Sequence, residues 1–558
     1  MGGFFDEHIL IKSFLEPLDS FIKIDSLGNI SVIGYYIITI TKSEEVGRIN
    51  GHSIRKVIST NVVRIGTPAY SGQESVHNDQ HFLKLLRYSL SAKSYYFSYT
   101  MDVTSSIQRQ FQTDPELPLH KKANMEFFYN YHLSKTLINS AEHQPEISLV
   151  ILPIINGCTR YFSRGVDDDG NVSNYAETEQ IVEIGKTGND AFKSSHGKII
   201  SYLQLRGSIP IKWTQIINGK YKPSLEYNLK NSDGGFNKHM DKLVNDYQRC
   251  VMVNLVDKVK YEKGIGEAFT QISGNSIGSR AVEYYHFDFH KECSKMRFNR
   301  VSLLVDKIRS LIDSYQFFEY NPNVSPKPTK LQSGIIRTNC MDCLDRTNVV
   351  QSILATDWLV KEFREMNILG ADETFKNYDR VTDSLRNMWA DNADYVSLAY
   401  SGTGALKTDF TRTGKRTKLG LLSDGYNSLE RYYRNNFSDG TRQDSIDLFL
   451  GYYKVDLNRS INHQHLRLFS INTIVRIVAL LFASVYGMRI LIEKHASDLL
   501  SWPVLVEYEY RPIPIVVNSS LEVPFLAKFV DMGISKVKES LLKPKPSASE
   551  ETPREKIE

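Results

Sequence analysis

The chain has 558 residues, of which 41% are hydrophobic and 24% charged, and its formal net charge is only +4. This composition is that of a folded globular chain, and it excludes a disordered polyelectrolyte or a uniformly cationic nucleic-acid binder. At roughly 150 residues per domain, the length predicts two to four domains. The five cysteines are sparse, scattered and odd in number, so we expect no disulfide framework and a catalytic body that faces a reducing compartment.

The beginning of the chain alternates strand-like runs with turns, and we predict that residues 1–145 form an N-terminal domain. Runs rich in β-branched and aromatic residues at 30–40 and 95–99 predict strands. Residues 124–137 favour a helix. The polar stretch 140–145, which ends in a proline, is the predicted domain boundary.

A second domain with a mixed α/β pattern is predicted at 146–455. The apolar run at 148–155 is typical of a buried strand, and residues 301–312 have the apolar spacing of a helix. The chain has no internal repeat, so a solenoid or propeller is not expected. The sequence therefore predicts one α/β body that follows the N-terminal domain.

The character of the chain changes after this second domain. Residues 468–492, within a candidate membrane anchor at 456–500, are mostly apolar but contain Arg476 and Arg489. The segment is long enough to span a bilayer, whereas a buried arginine costs roughly 3 kcal/mol, so a core or amphipathic helix is the alternative. The two arginines lie too far apart in azimuth for one narrow polar stripe, which favours insertion. Residues 501–558 form a C-terminal tail that is predicted to be partly disordered.

The most informative stretch is RTNCMDCLDRTN at 337–348, in which five residues separate Cys340 from Arg346. Five residues allow a loop whose backbone N–H groups converge on an anion, and the arginine adds a bidentate fork to the same phosphate. A strand-like run at 334–336 precedes the loop, and residues from Thr347 onward have helical spacing. A helix N-terminus favours both an anion and a thiolate. Cys340 is therefore a candidate nucleophile and Arg346 a candidate phosphate ligand.

Other interpretations of these residues stay open at this point. A bare Cys-x5-Arg spacing also arises by chance, from a buried cysteine and a surface arginine. Cys340 and Cys343 form a Cys-x-x-Cys pair, but a zinc site needs two further ligands, so a resolving thiol is the better second role. The alternation of His286, Asp288 and His290 would place three ligands on one face of a strand and is a separate metal candidate.

The twelve residues at 337–348 resemble the signature of the Sac-domain phosphoinositide phosphatases. Further similarity to this family extends over most of the chain, at residues 164–171, 177–180, 204–210, 286–290, 399–407 and 442–451. Within the family, the sequence is most similar to the membrane-anchored members of the endoplasmic reticulum and Golgi, which act mainly on phosphatidylinositol 4-phosphate.

The resemblance implies an N-terminal Sac-specific domain packed on an α/β catalytic domain, with no metal and no other cofactor. It implies Cys340 as nucleophile and Arg346 as phosphate ligand. Either Asp342 or Asp345 is then the general acid, since a carboxyl beside a bound phosphate has a raised pKa. We also expect substrate contacts from six further residues of the signature and one lysine: Arg337, Asn339, Met341, Cys343, Leu344, Thr347 and Lys407.

The expected activity is removal of the phosphate of phosphatidylinositol 4-phosphate, and of other monophosphorylated inositides, through a phosphocysteine intermediate. The alternative is a catalytically weak scaffold that binds phosphoinositides. Protein tyrosine phosphatases share the loop chemistry, but they typically follow the nucleophile with small residues, whereas residues 341–345 include two aspartates.

The expected partners are phosphoinositides and an anionic membrane surface rather than nucleic acid. The stretch 406–418 has five basic residues and one acidic residue, a net charge of +4, and predicts a lip on lipid headgroups. The resemblance implies a location on endoplasmic reticulum and Golgi membranes with the catalytic domain facing the cytosol. Arg554 and Lys556 resemble a tail that binds coat proteins. Such family members have two spanning helices, whereas this sequence offers one candidate, so the topology of the tail stays open.

Overall fold

The computed structural model describes residues 35–65, 73–91, 95–141, 159–160, 164–185, 197–218, 220, 222–276 and 281–452. Apart from residues 220 and 222, these belong to one compact unit. The predicted strand at 148–155, the candidate anchor at 468–492 and the predicted C-terminal tail lie outside the described residues. Within the described ranges, no helix combines the length and apolar content that a membrane span requires.

A long antiparallel hairpin opens the described chain. Its three-stranded sheet consists of β1 (Tyr35–Ile49), β2 (His52–Ile65) and β3 (Tyr96–Phe97). Asn50 and Gly51 form the two-residue turn with φ of 50° and 80°, as the tight turn that matches strand twist requires. The strands predicted at 30–40 and 95–99 are confirmed where their residues are described.

Four helices accompany this sheet: α1 (Gln73–Leu90), α2 (Ile107–Gln112), α3 (Leu119–Lys122) and α4 (Tyr131–Ala141). The helix predicted at 124–137 begins later than expected, at Tyr131. The side-chain carbonyl of Asn124 accepts the backbone N–H of Glu126 at 3.1 Å, and this local bond favours a turn over a helix.

The second part of the chain is built on a six-stranded mixed sheet. The strands of this sheet are β4 (Ala176–Ile184), β5 (Lys198–Arg206), β8 (Cys250–Asn254), β9 (Val282–His286), β10 (Phe318–Tyr320) and β11 (Ile335–Asn339). A separate two-stranded hairpin consists of β6 (Lys212–Gln215) and β7 (Leu225–Asn228). The strand order is β10-β5-β11-β8-β9, and β4 pairs with β5. Strands β5, β11, β8 and β9 run parallel, so their carboxyl ends meet at one edge.

Helices cover both faces of this sheet, and further helices follow in the chain. The helices of this part of the chain are α5 (Asp233–Tyr247), α6 (Lys263–Ser276), α7 (Phe289–Glu292), α8 (Ser302–Tyr315), α9 (Asp345–Glu365), α10 (Asp379–Ser401), α11 (Thr408–Thr413), α12 (Lys418–Phe437) and α13 (Asp439–Leu450). The helix predicted at 301–312 is confirmed as α8. Val251 and Val253 pack with α8 and α9, whereas Cys250 and Met252 pack with α5 and α6. The period of two along β8 thus supplies two apolar cores, and the predicted α/β fold is confirmed.

The last described helix returns to the N-terminal region. The hydroxyl of Ser445 on α13 lies 2.6 Å from that of Ser89 on α1, and the rings of Phe449 and Tyr129 stack at 4.4 Å. The predicted domain division at 145 stays a prediction, because residues 142–158 are not described.

Candidate active site

The predicted phosphate loop lies at the carboxyl end of β11, which is hydrogen-bonded between β5 and β8. Cys340 directly follows this strand, and the 21-residue helix α9 begins at Asp345. The predicted order of strand, loop and helix is therefore confirmed. The Cys340 side chain is buried, with 3% of its surface exposed.

Donors from surrounding elements hold the loop carbonyls. The carbonyl of Met341 accepts from Arg164 Nη1 at 3.1 Å. Asn174 Nδ2 donates to the carbonyl of Asp342 at 2.7 Å and to that of Cys343 at 3.4 Å. Because the C=O and N–H of a trans peptide point in opposite directions, the N–H groups of the following residues face away from these donors. A row of amides is left on the other side of the loop, which is the arrangement that binds an anion at a helix N-terminus.

The Cys340 thiol lies in surroundings that favour its ionised form. Burial disfavours the charge, but a hydrogen bond from Cys343, the Arg346 guanidinium and a hydroxyl outweigh it and lower the pKa of Cys340 to about 6. The hydroxyl belongs to Thr347, whose Oγ1 lies 3.6 Å from the Cys340 Sγ. At neutral pH this cysteine is mostly thiolate, the nucleophilic form.

Cys343 supports the loop as a neutral thiol. Its Sγ lies 3.0 Å from the carbonyl oxygen of Gly207 and 3.5 Å from that of Cys340, so its single S–H has more than one acceptor within reach. Burial raises the pKa of Cys343 well above the ordinary value, so its proton stays in place. The residue has φ of 53°, a conformation that a side chain with a Cβ rarely adopts, and this marks the point at which the loop reverses.

Arg346 is held by two carboxylates. Its Nη1 and Nη2 donate to the two oxygens of Glu262 at 2.8 Å and 2.7 Å, and Nη1 lies 3.7 Å from Asp257 Oδ1. Burial lowers the pKa of Arg346, but the Cys340 thiolate, Glu262 and Asp257 outweigh burial and raise it. The guanidinium is therefore a fixed positive charge beside the nucleophile.

Asp342 is bound by two arginines. Arg160 donates to it from Nε at 3.0 Å and from Nη2 at 2.7 Å, and Arg164 Nη1 donates at 2.7 Å. Burial favours the neutral carboxyl, but the two guanidiniums outweigh it and hold the pKa of Asp342 well below its usual range. This carboxylate is therefore ionised at neutral pH and has no proton to donate.

Asp345 has the opposite surroundings, in the first turn of α9. Its Oδ1 accepts the backbone N–H of Leu406 at 2.9 Å. Burial raises the pKa of Asp345, while Arg431 and this N–H lower it and the charge of Asp342 raises it further. The carboxyl is thus shifted toward the protonated form.

The predicted contacts on β11 have their side chains inside the protein. Arg337 is fully buried and donates to the carbonyl of Ser208 and, at 3.1 Å, to His239 Nε2. Asn339 Nδ2 donates to Asn254 Oδ1 at 2.8 Å. These bonds brace the strand beneath the loop, and contact of either side chain with substrate stays a prediction.

The remaining predicted contacts divide between core and surface. Met341 and Leu344 are buried in apolar clusters, where Leu344 packs against Val396 and Tyr400 of α10. Lys407 is exposed, and its backbone N–H, rather than its ammonium, makes the described hydrogen bond. The structure therefore brings Cys340, Cys343, Arg346 and Thr347 together, and contact of Lys407 with substrate stays a prediction.

Known proteins are similar in sequence to this chain over most of its length. A sequence profile described as the SacI homology domain matches residues 26–159 and 158–294. The phosphatidylinositol-3-phosphatase SAC1 of Saccharomyces cerevisiae is 41% identical over 466 residues, which cover 78% of this chain and 73% of that protein. Phosphatidylinositol-3-phosphatase SAC1-B of Danio rerio is 38% identical over 463 residues, 77% of this chain and 76% of that protein. The chain belongs to the SacI homology domain family.

Several residues of this SacI-family site are not apparent from the sequence. Arg164 and Arg206 lie in stretches that resemble the family, but nothing in their spacing indicates that they hold the loop; Arg206 Nη1 lies 3.5 Å from the carbonyl of Cys343. Arg160 and Glu262 have no motif around them. The fold brings Arg160 to Asp342 of the loop and Glu262 to Arg346 of α9, although both residues lie far from these partners in sequence.

The strand considered for His286, Asp288 and His290 does not extend through all three residues in this SacI-family chain. His286, Asp288 and His290 do not share one face of a strand, because β9 ends at His286 and His290 lies on α7. Asp288 is the N-cap between them and accepts the N–H of Lys291 at 3.1 Å, which starts a helix. Among the residues described, no group of three or more His, Cys, Asp or Glu side chains is arranged to hold a metal ion.

Proposed function

We propose that this SacI-family chain is a phosphoinositide phosphatase that forms a phosphocysteine on Cys340. One observation carries the proposal: a buried thiol with a pKa of about 6 lies in a loop whose carbonyls are held on one side. The similar proteins of yeast and zebrafish are named as phosphatidylinositol phosphatases. A scaffold that only binds phosphoinositides has no use for a thiol of low pKa, so catalysis is the better conclusion.

The first step is attack of the Cys340 thiolate on phosphorus. An S–P bond forms, and the bond between phosphorus and the inositol oxygen breaks. The amides of the loop and the Arg346 guanidinium stabilise the charge on the non-bridging phosphate oxygens. The departing oxygen takes a proton from a carboxyl group, so that the lipid leaves as a neutral alcohol.

The second step is hydrolysis of the phosphocysteine. A water oxygen attacks phosphorus, the S–P bond breaks, and the sulfur returns to the thiolate form that its surroundings favour. The carboxylate left by the first step accepts a proton from this water. Inorganic phosphate leaves and both groups return to their starting states.

Asp345 is the better candidate for the proton donor. Burial raises the pKa of Asp345, whereas two arginines hold that of Asp342 well below its usual range. An acid must carry a proton when the leaving group departs, and Asp345 is the carboxyl that favours one. Asp342 instead positions Arg160 and Arg164 against the loop.

The preferred substrate is phosphatidylinositol 4-phosphate. This choice rests on the similarity of the signature to the membrane-anchored family members; the names of the yeast and zebrafish relatives refer to the 3-phosphate. Phosphate release from liposomes that contain each monophosphorylated inositide, or phosphatidylinositol 4,5-bisphosphate, tests it. We expect the monophosphates to react fastest, with the 4-phosphate first. Much faster hydrolysis of the bisphosphate, or of a phosphotyrosine peptide, would overturn the substrate assignment.

The proposed working place is the cytosolic face of endoplasmic reticulum and Golgi membranes. The anchor is the segment 468–492, and the tail with Arg554 and Lys556 is a candidate coat-protein ligand. Carbonate extraction of membranes tests the anchor: we expect the full chain to stay with the membrane pellet. Release of the chain into the soluble fraction would exclude an integral anchor and leave the catalytic proposal untouched.

A further inference from the structure

The first turn of α12 presents three leucines to solvent. Leu419, Leu421 and Leu422 are 78%, 63% and 65% exposed, and they are called the leucine turn below. Single exposed apolar side chains are ordinary, but three leucines within four positions form a local apolar surface. Gly420, between them, is buried and lies on the side of the helix that faces the protein.

The start of this helix is braced. Asp409 accepts the backbone N–H of Thr417 at 2.8 Å and its hydroxyl at 3.0 Å, and Arg416 binds both Asp409 and Asp424. Thr417 Oγ1 caps the helix by accepting the N–H of Gly420 at 2.9 Å. A Cβ at Gly420 would overlap the carboxyl of Asp409, so glycine permits this close approach. The leucine turn therefore projects from a rigid base.

Positive charge surrounds the leucine turn, although less than the composition predicts. Two of the five cations of residues 406–418 are in ion pairs, Arg412 with Asp391 and Asp394, and Arg416 as described above. The other three are exposed lysines: Lys407, Lys415 and Lys418. Because ion pairs neutralise two of the five cations, electrostatic attraction to lipid headgroups is weaker than the composition predicts. Burial of apolar side chains can then contribute to membrane binding.

The leucine turn is connected to the catalytic loop by a short path. The backbone N–H of Leu406 donates to Asp345 in the first turn of α9, and that of Lys407 donates to Asp424 of α12 at 2.8 Å. Phe410 of α11 packs edge-on against Phe298, with ring centroids 5.2 Å apart. The position of α12 and the position of the catalytic loop are therefore fixed relative to each other.

We propose that the leucine turn inserts into the interfacial layer of an anionic lipid bilayer and holds the catalytic loop at the headgroups. This inference rests on the proposed function, since it requires a substrate that lies in a bilayer. Exposed leucines flanked by lysines are the combination that enters the boundary between headgroups and acyl chains, with the ammonium groups left at the lipid phosphates. The occupant is therefore a membrane surface rather than a second protein.

Substitution of the three leucines by glutamine tests the proposal with the full chain. Glutamine keeps the helical propensity of leucine and removes the apolar surface. Reconstituted with liposomes of phosphatidylserine and phosphatidylinositol 4-phosphate, the L419Q/L421Q/L422Q variant should hydrolyse the lipid at least about tenfold more slowly than the wild type. Hydrolysis of a water-soluble short-chain phosphatidylinositol 4-phosphate should stay unchanged, because the catalytic loop is intact.

Val324 provides a matched control. It is 72% exposed and follows β10, whose Tyr320 pairs with Ile199 near the start of β5, so it lies at the opposite edge of the sheet from the catalytic loop. Val324→Gln should leave both rates unchanged. Equal losses on both substrates for the leucine variant would show a structural role and overturn the proposal, as would unchanged rates on both.

Insertion itself is measured with a fluorescent reporter. The fluorescence of the tryptophan introduced by Leu421→Trp in the full chain should be quenched by brominated lipids in vesicles that contain phosphatidylserine. The fluorescence of the tryptophan introduced by Val324→Trp should not be quenched. Absence of quenching overturns the proposal. This result is also expected if the leucines contact another copy of the protein or another segment of the chain instead of lipid. If the wild type hydrolyses neither lipid nor short-chain substrate, the proposed function fails; if only quenching fails, the membrane contact alone is wrong.

Discussion

The two aspartates of the catalytic loop lie in opposite electrostatic surroundings. Arg160 and Arg164 donate three hydrogen bonds of 3.0 Å or less to the carboxylate of Asp342. Asp345, three residues further along, accepts one backbone N–H from Leu406 and is partly shielded from water. The first environment lowers the pKa of its carboxyl group and the second raises it, so the two aspartates are suited to different chemical roles.

In the proposed mechanism, this difference separates residues that position the loop from the residue that transfers a proton. On the Asp342 side, fixed charges and side-chain amides position the loop carbonyls, and no group there changes its protonation in the proposed cycle. On the Asp345 side, at the start of α9, the carboxyl gives up and regains a proton in the proposed cycle. The nucleophile precedes both aspartates in the chain. Burial and the charge of Asp342 raise the pKa of its thiol, but Cys343, Arg346 and Thr347 outweigh them and lower it.

The largest loss of activity is expected from removal of the nucleophile, because both aspartates support a reaction that begins at Cys340. Cys340→Ser should lower phosphate release by on the order of 10⁴-fold or more, because a serine hydroxyl does not ionise at neutral pH. Cys293→Ser, at a buried cysteine of the core, is the control and should stay active. Near-wild-type activity of Cys340→Ser, or loss of wild-type activity with a metal chelator, would contradict the mechanism.

The next largest effect tests the Asp345 side. Asp345→Asn keeps an oxygen for the Leu406 N–H but has no proton to transfer, so kcat on the lipid should fall by about 10²-fold or more. The loss should be much smaller for an aryl phosphate with an acidic leaving group, which departs without a proton. Equal losses on both substrates would argue against the acid role.

Substitution of Asp342 is expected to lower the stability of the folded protein. Asp342→Asn leaves two guanidiniums without their carboxylate, and breaking a largely buried pair costs roughly 3 kcal/mol. Thermal unfolding at pH 7 should show a clearly lower Tm. Because the pKa of Asp342 is depressed on folding, its stabilisation is present above the unfolded value and is lost as pH falls through the folded pKa. The Tm difference should therefore narrow in strong acid.

A surface ion pair is the control for this measurement. Asp313 pairs with Lys361 at 2.8 Å, and both side chains are more than a third exposed. Asp313→Asn should change stability by less than about 1 kcal/mol. An equally small effect of Asp342→Asn, together with a large loss of kcat, would assign the acid role to Asp342.

The nucleophile and its arginine could be predicted because they are local in sequence. Cys340 and Arg346 lie in one continuous strand, loop and helix, and their spacing together with this local context indicates the chemistry. The sequence could not distinguish Asp342 from Asp345. The arginines that separate them lie 182 and 178 residues away, and only the fold brings them to the loop.

The fold class was similarly predictable, while local interruptions were not. Apolar runs indicated the strands and α8, since burial on two faces of a sheet leaves a clear pattern. The alternation of His286, Asp288 and His290 matched a strand equally well, but a capping bond of the Asp288 side chain starts a helix there. Side-chain bonds to nearby backbone are short-range events that hydrophobic periodicity does not record.

The smallest effect is expected at Glu262, which contacts neither side of the loop directly but holds Arg346 with two hydrogen bonds. Glu262→Gln removes a negative charge and one strong acceptor, so kcat/KM at neutral pH should fall by about tenfold as Arg346 loses its orientation. The pH profile gives the more specific readout. Activity requires the Cys340 thiolate, so it should rise with pH through the pKa of about 6.

Without the Glu262 charge, the positive field of Arg346 at Cys340 is less neutralised, and the pKa of the thiol should fall. The acidic limb of kcat/KM should therefore move to lower pH in Glu262→Gln, even though the maximal rate is reduced. Glu267→Gln, at an exposed residue of α6 that lies near Lys263, should leave both the rate and the limb unchanged. A merely structural role of Glu262 would lower the rate without moving the limb. A shift to higher pH would show that Glu262 does not act on the nucleophile through Arg346.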